Sequence, residues 1–401
     1  MRPFKGLINA DEAMDIIKKN IRAIEESEDI SIDTADRRIL AEDVKATYNV
    51  PHFNRSSMDG YAVRSEDTSE ASMQHPKMLT IVGEVFAGDS IGIEVGKGEC
   101  VKIATGAPLP DSCDAVIMVE DTEQQENMVI IHKPAHPFEN VSKVGEDIKR
   151  DEVVLKKGLP LDPSKIGALA ALGLRKVRVI RKPRIGIIST GNEIIPLGQK
   201  LEKGRIYDIN THTLKTLAER NFCEPFTYGI VEDNTEALKK ALEKAISNDM
   251  VVFSGGSSVG ERDILVDVLD GNVFFHGVRI KPGKPTLFAE HNGKPVFGLP
   301  GFPTSCLMNG YLFLAPALRK IAGAPERERR MVKARMAHDI QLSGGRRKNI
   351  TVRLEGEYAF SVYKESSTIT SLARAEGFIT IDEGIDLVKK GEEVEVELFS
   401  W

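Results

Sequence analysis

Three stretches in the second half of this 401-residue chain have the residue types that hold anions. Ser254-Gly255-Gly256-Ser257-Ser258-Val259-Gly260 follows an apolar run and precedes a helical pattern. Glycine lets backbone N–H groups approach a ligand closely, and a helix N-terminus adds unpaired N–H groups and the positive end of its dipole. Gly255, Gly256, Ser257 and Gly260 are therefore candidate ligand-binding residues; the plainer reading is a Gly-rich turn that binds nothing. Gly298-Leu299-Pro300-Gly301-Phe302-Pro303 repeats the arrangement, with Pro300 and Gly301 as candidates and Pro303 suited to a first helical position. Lys281-Pro282-Gly283-Lys284-Pro285 puts two ammonium groups, Lys281 and Lys284, on a stiff turn; alternatively they are solvated charges. This is no P-loop: five residues rather than four separate Gly277 from Gly283, and Pro285 stands where Ser or Thr is required.

Four acids fall just beyond the strands of the same region: Glu193, Asp208, Asp233 and Asp263. Singly, each suits a helix cap. Together, beside anion-binding loops, they would repel the ligand unless a cation intervenes. Magnesium, which takes few carboxylates plus phosphate oxygens, resolves that conflict. The first half contributes Met58-Asp59-Gly60-Tyr61-Ala62, Ala104-Thr105-Gly106-Ala107-Pro108 and Gly145-Glu146-Asp147. Asp-Gly also favours a tight turn, so Asp59 could serve only its own backbone, and Asp147 is equally ambiguous.

The elements that must position these residues follow from the hydrophobic rhythm. Ala13, Ile16, Ile17, Ile21 and Ile24 predict a first helix, capped by Asn9 or Asp11. From Tyr48 to about Ile131, short apolar runs broken by Gly and Pro predict a small all-β domain. From Pro183, strands such as Met250–Ser254 alternate with helices, at about Leu214–Arg220, around Leu238–Ile246, at Arg262–Leu269 and from about Thr304 to Ile321. That alternation predicts a doubly wound, mostly parallel sheet, whose strand ends share one crevice. The last 75 or so residues alternate with period two around a Glu355-Gly356 turn and predict a second small β domain.

Composition bounds the function. With 54 basic and 60 acidic residues the formal charge is −6, which argues against general nucleic-acid binding and against a basic membrane-surface protein. The four cysteines, Cys100, Cys113, Cys223 and Cys306, form no Cys-x-x-Cys pair and read as reduced thiols of a cytoplasmic protein. No apolar run approaches the ~20 residues of a membrane span, and the N-terminus lacks the apolar core of a signal peptide.

Seven segments in order are similar to the MoeA family, also found as the E domain of gephyrin. They are Met58-Asp59-Gly60-Tyr61-Ala62, Thr105-Gly106-Ala107-Pro108, Gly145-Glu146-Asp147, Ser189-Thr190-Gly191-Asn192-Glu193, Gly255-Gly256-Ser257-Ser258-Val259-Gly260, Ile280-Lys281-Pro282-Gly283-Lys284-Pro285 and Gly298-Leu299-Pro300-Gly301. The resemblance covers nearly the whole chain. It implies a discontinuous linking domain (1–45 and 142–182), an inserted β domain (46–141), an α/β molybdopterin-binding domain (183–325) and a C-terminal β domain (326–401). It further implies a homodimer in which Asp59, Thr105 and Asp147 face the α/β crevice of the other subunit, leaving room for other cofactor-biosynthesis proteins as partners. Glu193, Asp233 and Asp263 match positions linked to metal and activity. The implied reaction takes adenylylated molybdopterin and molybdate, uses Mg2+, releases AMP and yields molybdenum cofactor. Molybdate could be bound by Lys281, Lys284 or a basic group such as Arg346 or Arg347. One departure is Phe302-Pro303, where the family commonly has Asn after Gly-Leu-Pro-Gly. The competing readings are the preceding adenylylation of molybdopterin, whose enzymes stand as a single α/β domain, and a non-catalytic scaffold like gephyrin.

Overall fold

The computed structural model describes residues 6–90, 92–256, 264–269, 273–342 and 345–399. One six-stranded sheet dominates it. Its strands are β1 (Arg184–Thr190), β2 (Glu224–Val231), β3 (Met250–Ser254), β4 (Val273–His276), β5 (Leu287–His291) and β6 (Lys294–Leu299), in the order β2-β1-β3-β6-β5-β4. The pairs β2-β1, β1-β3 and β3-β6 are parallel, while β6-β5 and β5-β4 are antiparallel.

Side chains explain why helices cover both faces. Along β3, Met250 and Val252 point into one core and Val251 and Phe253 into the other. A strand apolar on both faces must be buried on both. The helix Asn210–Arg220 and the helical segments between Pro303 and Ile321 cover the first face through Leu214, Leu217, Phe313 and Leu318. The helix Thr235–Ala245 covers the second with Leu238, Ala241, Leu242 and Ala245, and Asn234 caps it by accepting from the Ala237 N–H.

The last helix is not continuous as its pattern predicts. It runs as Pro303–Asn309, a π-helical turn Gly310–Leu314 and Ala315–Ile321. Pro316 has no N–H to give the preceding turn, and a wider turn accommodates that loss.

Register sets where the loops emerge. Thr190 pairs with Val231, Ser189 with Ser254 and Ser254 with Leu299, so the four parallel strands end level. His276, Leu287 and Gly298 are also in register across β4, β5 and β6. Both β4 and β6 are antiparallel to β5, so β4 exits at that same edge. The segment 277–286, with its two lysines, therefore leaves the sheet beside the Gly255 and Gly301 loops.

Three further units surround this one. The strands Gly60–Val63, Lys77–Val85, Glu99–Ile103, Ala115–Met118, Thr122–Gln125 and Met128–Ile131 form a β sheet over Tyr61, Leu79, Ile117 and Val129. Ser27–Ser31 pairs with Lys176–Ile180, and Val44–Lys45 with Val153–Leu155, so Leu40 and Ala46 share a core with Leu155, Leu169 and Val179 across the intervening β unit. The C-terminal unit is a mixed six-stranded sheet that includes Arg347–Glu355. Its first strand by position is Ile280–Lys281, so the lysine loop is tied directly to this unit. The first helix, Ala10–Asn20, is capped by Asn9, which accepts from the Glu12 N–H at 2.7 Å. Its Ala13 and Ile17 enter the α/β core beside Leu318 and Ile321.

All four cysteines are unpaired and buried, and burial pushes the Cys100 and Cys113 thiols up to about 12. Among the described residues no helix is long and apolar enough to cross a membrane.

Candidate active site

The crevice is built from the loops that follow β1, β2, β3 and β6. After β3 the chain turns through Gly255 and Gly256, both at positive φ (94° and 64°). A Cβ on Gly255 would stand 2.4 Å from the Thr190 carbonyl oxygen, so only glycine lets β3 and β1 end this close together. A Cβ on Gly256 would lie 3.1 Å from Thr190 Oγ1 and 3.5 Å from Asp233 Oδ1. One on Gly301 would lie 3.5 Å from the Gly255 Cα. The Gly-rich turn, Gly301 and Asp233 thus meet within a few ångströms. Ser257, Gly260 and Asp263 lie outside the described residues.

Polar groups in this region are left without partners. Thr190 Oγ1, Ser254 Oγ, Asn210 Oδ1 and Thr211 Oγ1 are shut from solvent and bonded to nothing among the described residues. Such clustering at strand ends marks a place built for a polar ligand, since orphaned buried groups are otherwise rare. Asn210 Nδ2 donates to the Gly301 carbonyl at 2.8 Å and fixes that loop. The Thr304 N–H, which the Gly-Leu-Pro-Gly pattern would offer to a ligand, instead donates to the Ser366 carbonyl at 3.0 Å. Phe302 is 62% exposed and Pro300 is buried.

The acids divide. Partial burial and then the like charge of Glu193 raise the Asp233 carboxyl above the ordinary aspartate value. Asn192 ties the two loops together, its Oδ1 accepting from the Asp233 N–H at 3.3 Å. Asp208 is buried and tied to the start of the Asn210–Arg220 helix: its Oδ1 accepts from the Thr211 N–H at 3.1 Å and from Ser189 Oγ at 3.3 Å. Among the described residues no three His, Cys, Asp or Glu side chains cluster as metal ligands.

On the lysine loop, Gly283 is at φ 99°, and a Cβ there would overlap the Asn309 side chain at 2.2 Å. Asn309 Nδ2 donates to the Gly283 carbonyl at 2.7 Å, which locks the loop to the helix that follows β6. Lys281 is exposed and Lys284 half-buried. Arg346 is exposed, whereas Arg347 is committed: it pairs with Asp11 at 2.9 and 3.0 Å and with Asp382 at 3.1 Å.

Asp59, Thr105 and Asp147 belong to other units. Asp59 Oδ1 accepts from the Thr105 N–H at 2.7 Å and from Thr105 Oγ1 at 2.9 Å, and these bonds hold its carboxyl below the usual range. The small pocket that Asp59 lines, about 210 Å³, is walled by its own β unit, including Tyr61, Glu84, Phe86, Lys102 and Val119. Asp147 is exposed, and its N–H donates to the Val50 carbonyl. A larger cavity of about 830 Å³ lies away from the strand-end loops, between the first helix, the last helix and the C-terminal sheet. Part of its rim is cross-paired through Lys18–Glu326 and Arg347–Asp11.

Fold and edge together define a multidomain α/β protein with a ligand crevice at the carboxyl ends of its parallel strands. The family models agree on what kind. "MoeA N-terminal region (domain I and II)" matches residues 8–173, "Probable molybdopterin binding domain" residues 186–320, and "MoeA C-terminal region (domain IV)" residues 333–399. The chain is 33% identical to a molybdopterin molybdenumtransferase of Haemophilus influenzae, over 98% of this chain and 99% of that protein. It is also 33% identical to one of Staphylococcus epidermidis, over 92% and 90%. A solved molybdopterin biosynthesis MoeA protein of Pyrococcus horikoshii superposes with a TM-score of 0.86 at 40% identity, over 99% of this chain and 100% of that one. The chain belongs to the MoeA family, enzymes of molybdenum cofactor biosynthesis.

Proposed function

We propose that this chain inserts molybdate into adenylylated molybdopterin, in a magnesium-dependent step that releases AMP and gives molybdenum cofactor. The observation that carries the reading is the convergence on one sheet edge of a glycine turn, paired acids and a lysine loop. A pterin phosphate joined to AMP is a pyrophosphate. It needs N–H donors close to the backbone, cations, and relief from neighbouring carboxylates. The Gly255–Gly256 turn offers the first and Lys281 and Lys284 the second.

The acids suit magnesium. Asp233 is held protonated more readily than usual by burial and by Glu193, a conflict that a divalent cation removes. Glu193 and Asp233 would hold the ion, with Asp263 as the third acid, and phosphate oxygens and water would complete its shell. When bound, the ion supplies charge neutralisation at the phosphates. The chain's own part is positioning: the glycine turn seats the pyrophosphate, Asn210 orients the Gly301 loop, and the lysines attract the oxyanion. Asp59, Thr105 and Asp147 would complete the site from the second subunit of a homodimer.

The test is to incubate the purified chain with adenylylated molybdopterin, magnesium and molybdate, and to follow AMP. Molybdate-stimulated AMP release is expected. A chain that instead consumes ATP to adenylylate molybdopterin would overturn the reading.

A further inference from the structure

The strand Arg347–Glu355 carries a lysine that sequence patterning does not single out. Lys348 is 6% exposed, and its Nζ is shut from solvent with no hydrogen-bond partner among the described residues. Its neighbours Arg347 and Asn349 face the other side of the strand, lining the large cavity, where Arg347 is neutralised by Asp11 and Asp382. Lys348 alternates instead with Ile350 and Val352, both in the core of the C-terminal unit. Across the sheet its register partner on one side is the apolar Ile381, and on the other Lys281 of the lysine loop.

A buried ammonium with no partner is strongly disfavoured. Burial first, and then the like charge of Lys281, hold Lys348 below the ordinary lysine value; Asp386 opposes them. Two adjacent lysines on paired strands stand about 4.8 Å apart at the backbone, the spacing at which one small dianion can be held between two flexible stems.

We propose that Lys348 is a further oxyanion-binding residue: with Lys281 it holds a dianionic tetrahedral oxyanion at the junction of the lysine loop and the C-terminal unit. The inference rests on the reading that the Lys281 loop binds the anionic ligand. The anion gives the shielded Lys348 Nζ the partner that the described residues do not supply.

The experiment is calorimetric titration of the full chain with sodium molybdate, and separately with inorganic phosphate. Saturable binding is expected with the unmodified protein. Lys348→Met should lose at least fivefold in affinity, with an unchanged or higher melting temperature. Lys348→Arg, which keeps the charge, should keep most of the affinity. Dependence on Lys348 with molybdate alone assigns the metal oxyanion; dependence with phosphate assigns the ligand's phosphate; either supports the inference. No oxyanion binding by the unmodified protein, or full affinity in Lys348→Met, overturns it. If Lys281→Ala loses binding while Lys348→Met does not, only the inference on Lys348 falls. If neither variant changes binding, the lysine-loop reading falls with it.

Discussion

A carboxylate partly shielded from water and facing a second carboxylate works against the folded state at neutral pH, and Asp233 is in that position beside Glu193. Its folded pKa lies above its unfolded value of ~3.9. The folded chain therefore binds that proton more tightly, and stability declines as pH rises from the unfolded value through the folded one. Asp233→Asn should accordingly raise the melting temperature at pH 7 but not near pH 3.5. The gain should be only a few tenths of a kcal/mol, because the shielding is partial and solvent still screens the carboxylate. The same variant should raise the magnesium concentration for half-maximal AMP release and leave the pH profile of the rate little changed. A shifted profile at unchanged magnesium dependence would instead make Asp233 a proton carrier. Lys281→Ala with Lys284→Ala should weaken molybdate or pterin binding about tenfold or more, for two charges withdrawn from one anion. Equilibrium titration that finds the parent's affinity would remove the loop from the site.

At the scale of elements, the crevice depends on how closely β1 and β3 can end. Gly255→Ala would force a side chain into positive φ and against the Thr190 carbonyl. A loss of at least about 2 kcal/mol in chemical denaturation is expected, together with lost pyrophosphate binding. A variant as stable as the parent would mean that the turn relaxes and the close approach is not required. Much of this element level was legible beforehand. Met250–Ser254 is a strand as its apolar run predicts, and Asn9 caps the first helix. What escaped was set by distant partners. The apolar face of the first helix was plain, but not that it packs beside Leu318 and Ile321, some 300 residues on. Local pattern also favours one long final helix, because apolar periodicity persists through the π turn. Lys348 was hidden for a related reason: polar-out patterning has no place for a buried lysine, and only the sheet pairing puts it next to Lys281. Asp208 suited either a cap or a ligand set by type, and its partner, the Thr211 N–H, is what ties it to the first turn of a helix.

At the scale of the whole molecule, the candidate site is divided. Glu193, Asp233, Gly255 and Gly301 share one sheet edge, while Asp59 and Thr105 bond each other in a separate β unit whose pocket contains no strand-end residue. If both groups act on one substrate, a second copy that lends its β unit would bring them together, and a symmetric dimer then carries two equivalent sites. This gives a prediction with a definite size. At a magnesium concentration that only just saturates the unmodified protein, Asp59→Asn and Asp233→Asn should each be nearly inactive alone, since every site in either dimer lacks one acid. Mixing the two chains equally, with dissociation and reassembly, makes about half the dimers mixed, and each mixed dimer has one site with both acids and one with neither. Activity should therefore return to about a quarter of the unmodified protein's. Cross-linking or native mass measurement must show that exchange has occurred. Exchanged dimers that stay inactive would place all the acids of a working site in one chain, and the β unit would then have to reach its own crevice by a rearrangement of the linking segments.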